Sequence, residues 1–235
     1  DRDFVAEILF AIALLGVHLS RMGEEWVLWT SAEFGFAVLD DGYATGSSML
    51  PQKKNADIAE LARGKSGRLI GNLTGLLATL KAMPLAYNRD LQEDKEPLFD
   101  SVNQVSLALQ ALAGMIASGR FNTEAMKSAA DSELLGATDL AEWLVARGMP
   151  FREAHAHVGA LVSKSIRDSV KLSQLVAADK KLGPDAVSLL NPGVGVSRRT
   201  TKGGSGPVPG AVQSDELSAA LTVMRTRIAA LNNSQ

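Results

Sequence analysis

From Phe4 to Leu19 the chain carries one formally charged residue, Glu7, and its apolar side chains fall on nearly every face of a helix. Such a segment is stable only where other helices surround it, so the chain is expected to fold as a helical bundle. The stretch falls short of the ~20 apolar residues that a membrane-spanning helix needs. It also lacks the basic leader and small-residue cleavage site of a signal peptide. Only Asp1 to Asp3 stand ahead of it, with no initiator Met, so further sequence is expected upstream.

Composition agrees with close helix packing. Hydrophobic residues make up 46% of the chain but aromatics only 5%, a balance of Ala, Leu, Val and Ile that lets helices approach one another. At 235 residues there is room for one large or two modest domains. A formal charge of −2 and a pI near 6.0 give no broad electrostatic reason to bind nucleic acid or an anionic membrane. The chain has no cysteine, which excludes disulfides and thiolate chemistry and suits a cytoplasmic location.

Proline, glycine and apolar periodicity mark the elements. A buried helix over residues 3–22 is followed, after Gly23, by a shorter helical piece around Trp26, Trp29 and Phe34. Asp40, Asp41, Gly42 and the Gly/Ser run at 45–48 read as loop. A long helix starts near Ala56, with Asn55 as its cap, and ends by Pro84. Its glycines, at 64, 67, 71 and 75, line one stripe. Glycine costs a helix up to about 1 kcal/mol relative to alanine, so close approach of another helix is the expected gain. A second long helix covers 94–118, with Pro97 in its first turn and Gly119 as its stop. Shorter helices at 138–147, capped by Thr138, and at 150–168, led by Pro150, open a smaller domain. The expected division is 1–128 and 129–235, with a loop over 191–210 and a closing helix over 213–231. No strand pattern stands out, so the fold class is all-α: a long-helix bundle followed by a smaller helical domain.

Several motifs fail on inspection. Gly64-Lys65-Ser66 resembles the end of a phosphate-binding loop, but Ala59 stands where the pattern needs glycine, and no strand precedes it. The glycines at 193–195 and 203–210 complete no dinucleotide fingerprint. His155 and His157 are two apart on a helix and point to nearly opposite faces, so they cannot share a metal ion. His18 has no acid adjacent in sequence and reads as a packing or capping residue. No metal and no cofactor are expected.

The informative stretch is Gly46-Ser47-Ser48-Met49-Leu50-Pro51-Gln52-Lys53-Lys54-Asn55. It sets two hydroxyls, two lysines and an amide just before a helix N-terminus, whose partial positive charge and unpaired N–H groups favour anions. Read alone, this is an ordinary polar loop with a helix cap. Its groups also suit one reaction class, removal of a proton next to a carboxylate. That step builds a dianionic intermediate, which preorganised cations and donors stabilise more than the ground state. A serine is a very weak base, and a positive, water-excluded pocket is what would make its alkoxide accessible.

These residues resemble the signature Gly-Ser-Ser-x-Met-Pro-x-Lys-x-Asn of the fumarase and aspartase superfamily. The resemblance implies that Ser47 is the general base, that Lys53 stabilises the carbanionic intermediate, and that Ser48 and Asn55 bind substrate. Glu60 matches the acidic residue that orients the lysine. Met49 and Leu50 stand in shifted order relative to the signature, a swap of similar volumes that costs under about 1.5 kcal/mol where the side chain only packs. A second segment, Tyr87-Asn88-Arg89-Asp90-Leu91-Gln92-Glu93-Asp94-Lys95-Glu96, resembles the argininosuccinate lyase family, in which residues matching Tyr87, Gln92 and Lys95 contact substrate. Read without the resemblance, it is a charged helix start. Leu28-Trp29-Thr30, Thr138 to Trp143 and Pro150-Phe151-Arg152 match as well, while Lys171 to Leu190 and Arg198 to Pro207 match least.

The resemblance implies elimination of fumarate from argininosuccinate to leave arginine, in a homotetramer whose active sites are each assembled from three subunits. It also implies that the chain is the C-terminal half of such an enzyme, because the Thr-His block that carries the family's proposed general acid is not found among its residues. The alternatives are a catalytically inactive structural or assembly fragment of the same fold, or another fumarate-releasing lyase of the superfamily.

Overall fold

The computed structural model describes residues 1–46, 49–50 and 54–233. The fold is all-α, and the chain divides into two compact units, Asp1–Ala125 and Met126–Gln235. In the first unit α1 (Asp3–Trp29), α2 (Asp57–Leu80) and α3 (Lys95–Ser118) run antiparallel in succession. Two short antiparallel ladders join the connections: β1 (Ala37–Val38) pairs with β4 (Arg120–Phe121), and β2 (Thr45–Gly46) with β3 (Lys54–Asn55). A 3-10 turn over Arg89–Asp94 leads into α3.

α1 is longer than its sequence suggests and less enclosed. Gly23 does not interrupt it, and Trp26 and Trp29 belong to the same helix. Only one stripe, Val5, Leu9, Ala13, Gly16, Leu19, Gly23 and Trp26, is buried. Within one chain Phe4 and Phe10 on the other faces are 57% and 58% exposed, so this chain alone does not complete the surround of helices expected for the segment. By length and apolarity alone α1 could cross a membrane. Its stripe instead packs along α2, and the contact is intimate because α1 supplies the small residues. A Cβ on Gly23 would lie 2.5 Å from the Ala59 carbonyl oxygen, and one on Gly16 would lie 2.8 Å from Leu69 Cδ1. The α2 glycines at 64, 67, 71 and 75 have no such role within the chain, since a Cβ on any of them would meet nothing within 4 Å. The close approach expected of that stripe is made by the α1 glycines.

α2 and α3 are tied by a polar seam. Arg68 forms a two-pronged bond with Asp100, and Asn72 Nδ2 donates to Asp100 Oδ2 and to the buried Ser101 Oγ, each at 2.9 Å. The Arg68 guanidinium holds the Asp100 carboxyl below the ordinary carboxylate range against the opposing effect of burial. Asn55 is not the cap of α2. Ala56 holds that position, and Asn55 is occupied in β3 opposite Thr45.

After α4 (Thr123–Ala130), the second unit contains α5 (Ala137–Val145), α6 (Phe151–Asp168), α7 (Leu172–Ala178), α8 (Gly183–Ala186), α9 (Val194–Ser197) and α10 (Pro207–Asn232). Leu140, Leu144, Ala154, Val158, Leu172 and Val176 form its core. Thr138 falls inside the first turn of α5, with Gly136 at the N-cap position. Asp139 on α5 is fully buried and accepts bonds from Arg198 Nε at 2.8 Å and from Arg199 Nη1 and Nη2 at 3.2 and 2.9 Å. These arginines fall in the stretch expected to match least, and they tie the segment ahead of α10 to α5. Pro207 starts α10, six residues before the position expected, because its fixed φ suits the first helical turn.

Candidate active site

The two ends of the signature segment are pinned to each other in a short antiparallel ladder. Thr45 and Gly46 in β2 lie opposite Asn55 and Lys54 in β3. Thr45 Oγ1 donates to the Asp57 carboxylate at the start of α2, and Lys54 Nζ to the Asp41 carboxylate. The bond and charge of Lys54 hold the Asp41 carboxyl below its usual range. Ser47, Ser48 and Lys53 lie outside the described residues. Asn55 is half-buried in the ladder, and Glu60 is exposed on the first turn of α2, near Arg63.

The frame beneath this ladder is packed tightly. The Gly23–Ala59 contact lies directly under the start of α2, Tyr43 packs over Gly114 on α3, and Trp26 over Gly119. A Cβ on Gly114 would fall 2.0 Å from the Tyr43 hydroxyl. Trp26, Trp29 and Phe121 complete the cluster, with ring centroids 5.4 to 6.2 Å apart.

Tyr87 and Gln92 meet at the opposite end of the bundle, where Lys95 starts α3. Gln92 Nε2 donates to the Tyr87 hydroxyl at 2.7 Å. Lys95 Nζ donates to Asp94 Oδ1 at 3.0 Å, and Arg2 Nε donates to the other Asp94 oxygen. Arg2 and Tyr87 share the wall of a cavity of about 470 Å³ with Leu80, Met83, Pro84 and Leu91. Sequence reasoning named Tyr87, Gln92 and Lys95 but not Arg2 or Asp94.

The two groups are separated by the 24 residues of α2, about 36 Å at 1.5 Å rise per residue. Among the described residues, one chain therefore does not bring Lys54, Asn55 and Glu60 to a common cavity with Tyr87. Among the described residues there is no cluster of three His, Cys, Asp or Glu side chains fit to hold a metal ion. His157 is instead paired with Asp179, Nε2 to Oδ1 at 3.0 Å.

Residues 134–195 match the family described as argininosuccinate lyase C-terminal, and residues 1–71 match the lyase family. An argininosuccinate lyase of Saccharopolyspora erythraea is 52% identical over 234 residues, 97% of this chain and 49% of that protein. One from Frankia casuarinae is 55% identical over 214 residues, 88% of this chain and 46% of that protein. The chain belongs to the argininosuccinate lyase family. It spans about half the length of these relatives. Among solved structures, EDDS lyase in complex with formate superposes with a TM-score of 0.84 at 32% identity, covering 97% of this chain and 48% of that one. Class II fumarase from Schistosoma mansoni shares the fold, with a TM-score of 0.73 at 15% identity, over 85% of this chain and 40% of its own.

Proposed function

We propose that this chain supplies part of the active site of an enzyme that eliminates fumarate from argininosuccinate and leaves arginine, as a C-terminal portion without the region that carries the general acid. Ser47 takes the proton from the carbon next to a succinyl carboxylate, and Lys53, oriented by Glu60, stabilises the negative charge that results. Cleavage of the C–N bond then yields fumarate, while the leaving guanidino nitrogen receives its proton from a group outside this chain. Ser48, Asn55, Tyr87, Gln92 and Lys95 bind the substrate, and no cofactor takes part.

The observation that carries this reading is the separation of the two motif groups along α2. Both carry the residue types of one site, and about 36 Å of helix keeps them apart in a single copy. A site with both must draw them from different copies, which supports a homotetramer with shared active sites. The uncovered apolar side chains of the bundle, Phe4 and Phe10 on α1, Leu61 on α2 and Phe99 on α3, are consistent with that assembly. An arginine-forming enzyme of this kind would work in the cytoplasm.

The test is fumarate release from argininosuccinate, followed by absorbance, for the chain alone and for the chain joined to the remaining half of the family's length. The joined protein is expected to be active and the chain alone inactive. Activity only on adenylosuccinate, aspartate or malate would refute the substrate assignment. A second reading is a structural or assembly fragment that keeps the fold without turnover, and inactivity of the joined protein would support it.

A further inference from the structure

Asp94 occupies the N-cap position of α3, where an aspartate ordinarily accepts a bond from a backbone N–H of the first turn, yet its side chain makes no such bond. Its two oxygens hold two cations instead, Lys95 on Oδ1 and Arg2 on Oδ2. The residue is 6% exposed, whereas the Lys95 side chain is 49% exposed. Burial pushes the Asp94 carboxyl up, but the bonds from Lys95 and Arg2 outweigh it and hold the group below the ordinary carboxylate range. Lys95 is also the first residue of α3, where the partial positive charge of the helix end disfavours a cation. Asp94 has helical backbone angles and ends the 3-10 turn that runs into α3, so its carboxylate is given to the two cations and not to the helix end, and it holds a lysine where the helix dipole disfavours one.

We infer that Asp94 is a positioning residue for substrate binding: it fixes the Lys95 ammonium, with the Arg2 guanidinium beside it, as an ordered cationic pair for a substrate carboxylate. One buried negative charge against two cations leaves the group net positive. Of the three N–H bonds of the ammonium, one is directed to Asp94 and two remain for a ligand. A long, flexible side chain held in this way loses less freedom when the ligand arrives, which favours binding through preorganisation. The inference rests on Lys95 being a substrate contact, as proposed above.

The experiment compares Asp94→Asn, Lys95→Met and the double variant in the joined, active protein. Asp94→Asn is expected to raise KM for argininosuccinate about ten-fold or more with kcat changed less than about three-fold, the pattern of lost ground-state binding. In the Lys95→Met background the same change is expected to alter KM less than about two-fold, because independent effects multiply and dependent ones do not. Asp94→Glu, which keeps the charge, is expected to recover part of the loss. An unchanged KM in Asp94→Asn, or full multiplication in the double variant, would overturn the inference. A readout that needs no turnover separates this from the functional proposal: the NMR order parameter of Lys95 Cε should fall in Asp94→Asn. If it falls while the unsubstituted protein releases no fumarate, the positioning contact stands and the proposed reaction fails. If it does not fall, the contact itself is refuted.

Discussion

The two ends of the first unit solve different problems with different physics. At the hairpin end the framework is rigid and the polar contacts are exposed. Gly23, Gly114 and Gly119 let backbone and aromatic rings close to distances that no Cβ would permit, while the Lys54–Asp41 pair above them faces solvent with side chains 56% and 83% exposed. At the Tyr87 end the packing is ordinary, with Val5, Leu9 and Leu76 in contact, and the polar contact is buried at Asp94. The tight frame sits under an exposed pair of strand ends. A buried carboxylate fixes its cations before a ligand arrives.

Substitutions can break or sharpen this contrast. The largest effect is expected from Ser47→Ala in the joined protein, which should lower fumarate release by about 10²–10⁴-fold, the range a general base contributes, with helix content and oligomer size unchanged by circular dichroism and light scattering. Activity near that of the unsubstituted protein would remove Ser47 from the role proposed for it. Next, Gly23→Ala should destabilise the chain by about 2–3 kcal/mol in urea unfolding, because its Cβ meets the backbone oxygen of Ala59 and not a side chain that can move aside. Gly67→Ala, on the open stripe of α2, should instead leave the isolated chain as stable or up to about 1 kcal/mol more stable. Equal losses at both sites would erase the distinction drawn between the two glycine sets.

Acid should act mainly through the buried and half-buried carboxylates held below their usual range, Asp94, Asp100 and Asp179. A depressed carboxyl contributes stability that is present above its unfolded pKa of about 3.9 and lost as pH falls through the folded value. The urea midpoint is therefore expected to hold from neutral pH to about 5 and to fall below about 4. Asp100→Asn should flatten that fall, and a midpoint already dropping between pH 7 and 5 would point to other groups. The smallest effect is expected at Lys54→Ala, under about 1 kcal/mol, since exposed ion pairs contribute little.

Much of the fold was legible because periodicity and breakers act locally. The two long helices that follow the hairpin begin and end within a few residues of where Asn55, Pro84, Asp94 and Gly119 place them. What escaped depended on partners distant in sequence. Gly23 reads as a break until Ala59 is seen against it, and the α2 glycines read as a packing stripe until the space beside them proves open. Asp94 reads as part of a charged helix start because nothing local shows that Arg2, 92 positions away, is held by it. The one available signal was Lys95, a cation set at the wrong end of a helix. Residue types that mark a site are legible in the sequence, but their distribution over two ends of one helix is a property of the fold.

The central claim is that the chemistry is divided between these ends and reunited between copies. Its most direct test is to mix Ser47→Ala and Lys95→Met forms of the joined protein after reversible dissociation and to measure fumarate release. At argininosuccinate below KM each form alone should be strongly impaired, Ser47→Ala in turnover and Lys95→Met in binding, and the mixture should regain a clear fraction of activity, because some sites then combine an intact Ser47 from one copy with an intact Lys95 from another. A mixture no more active than its parts, in samples shown to have exchanged subunits, would contradict the account.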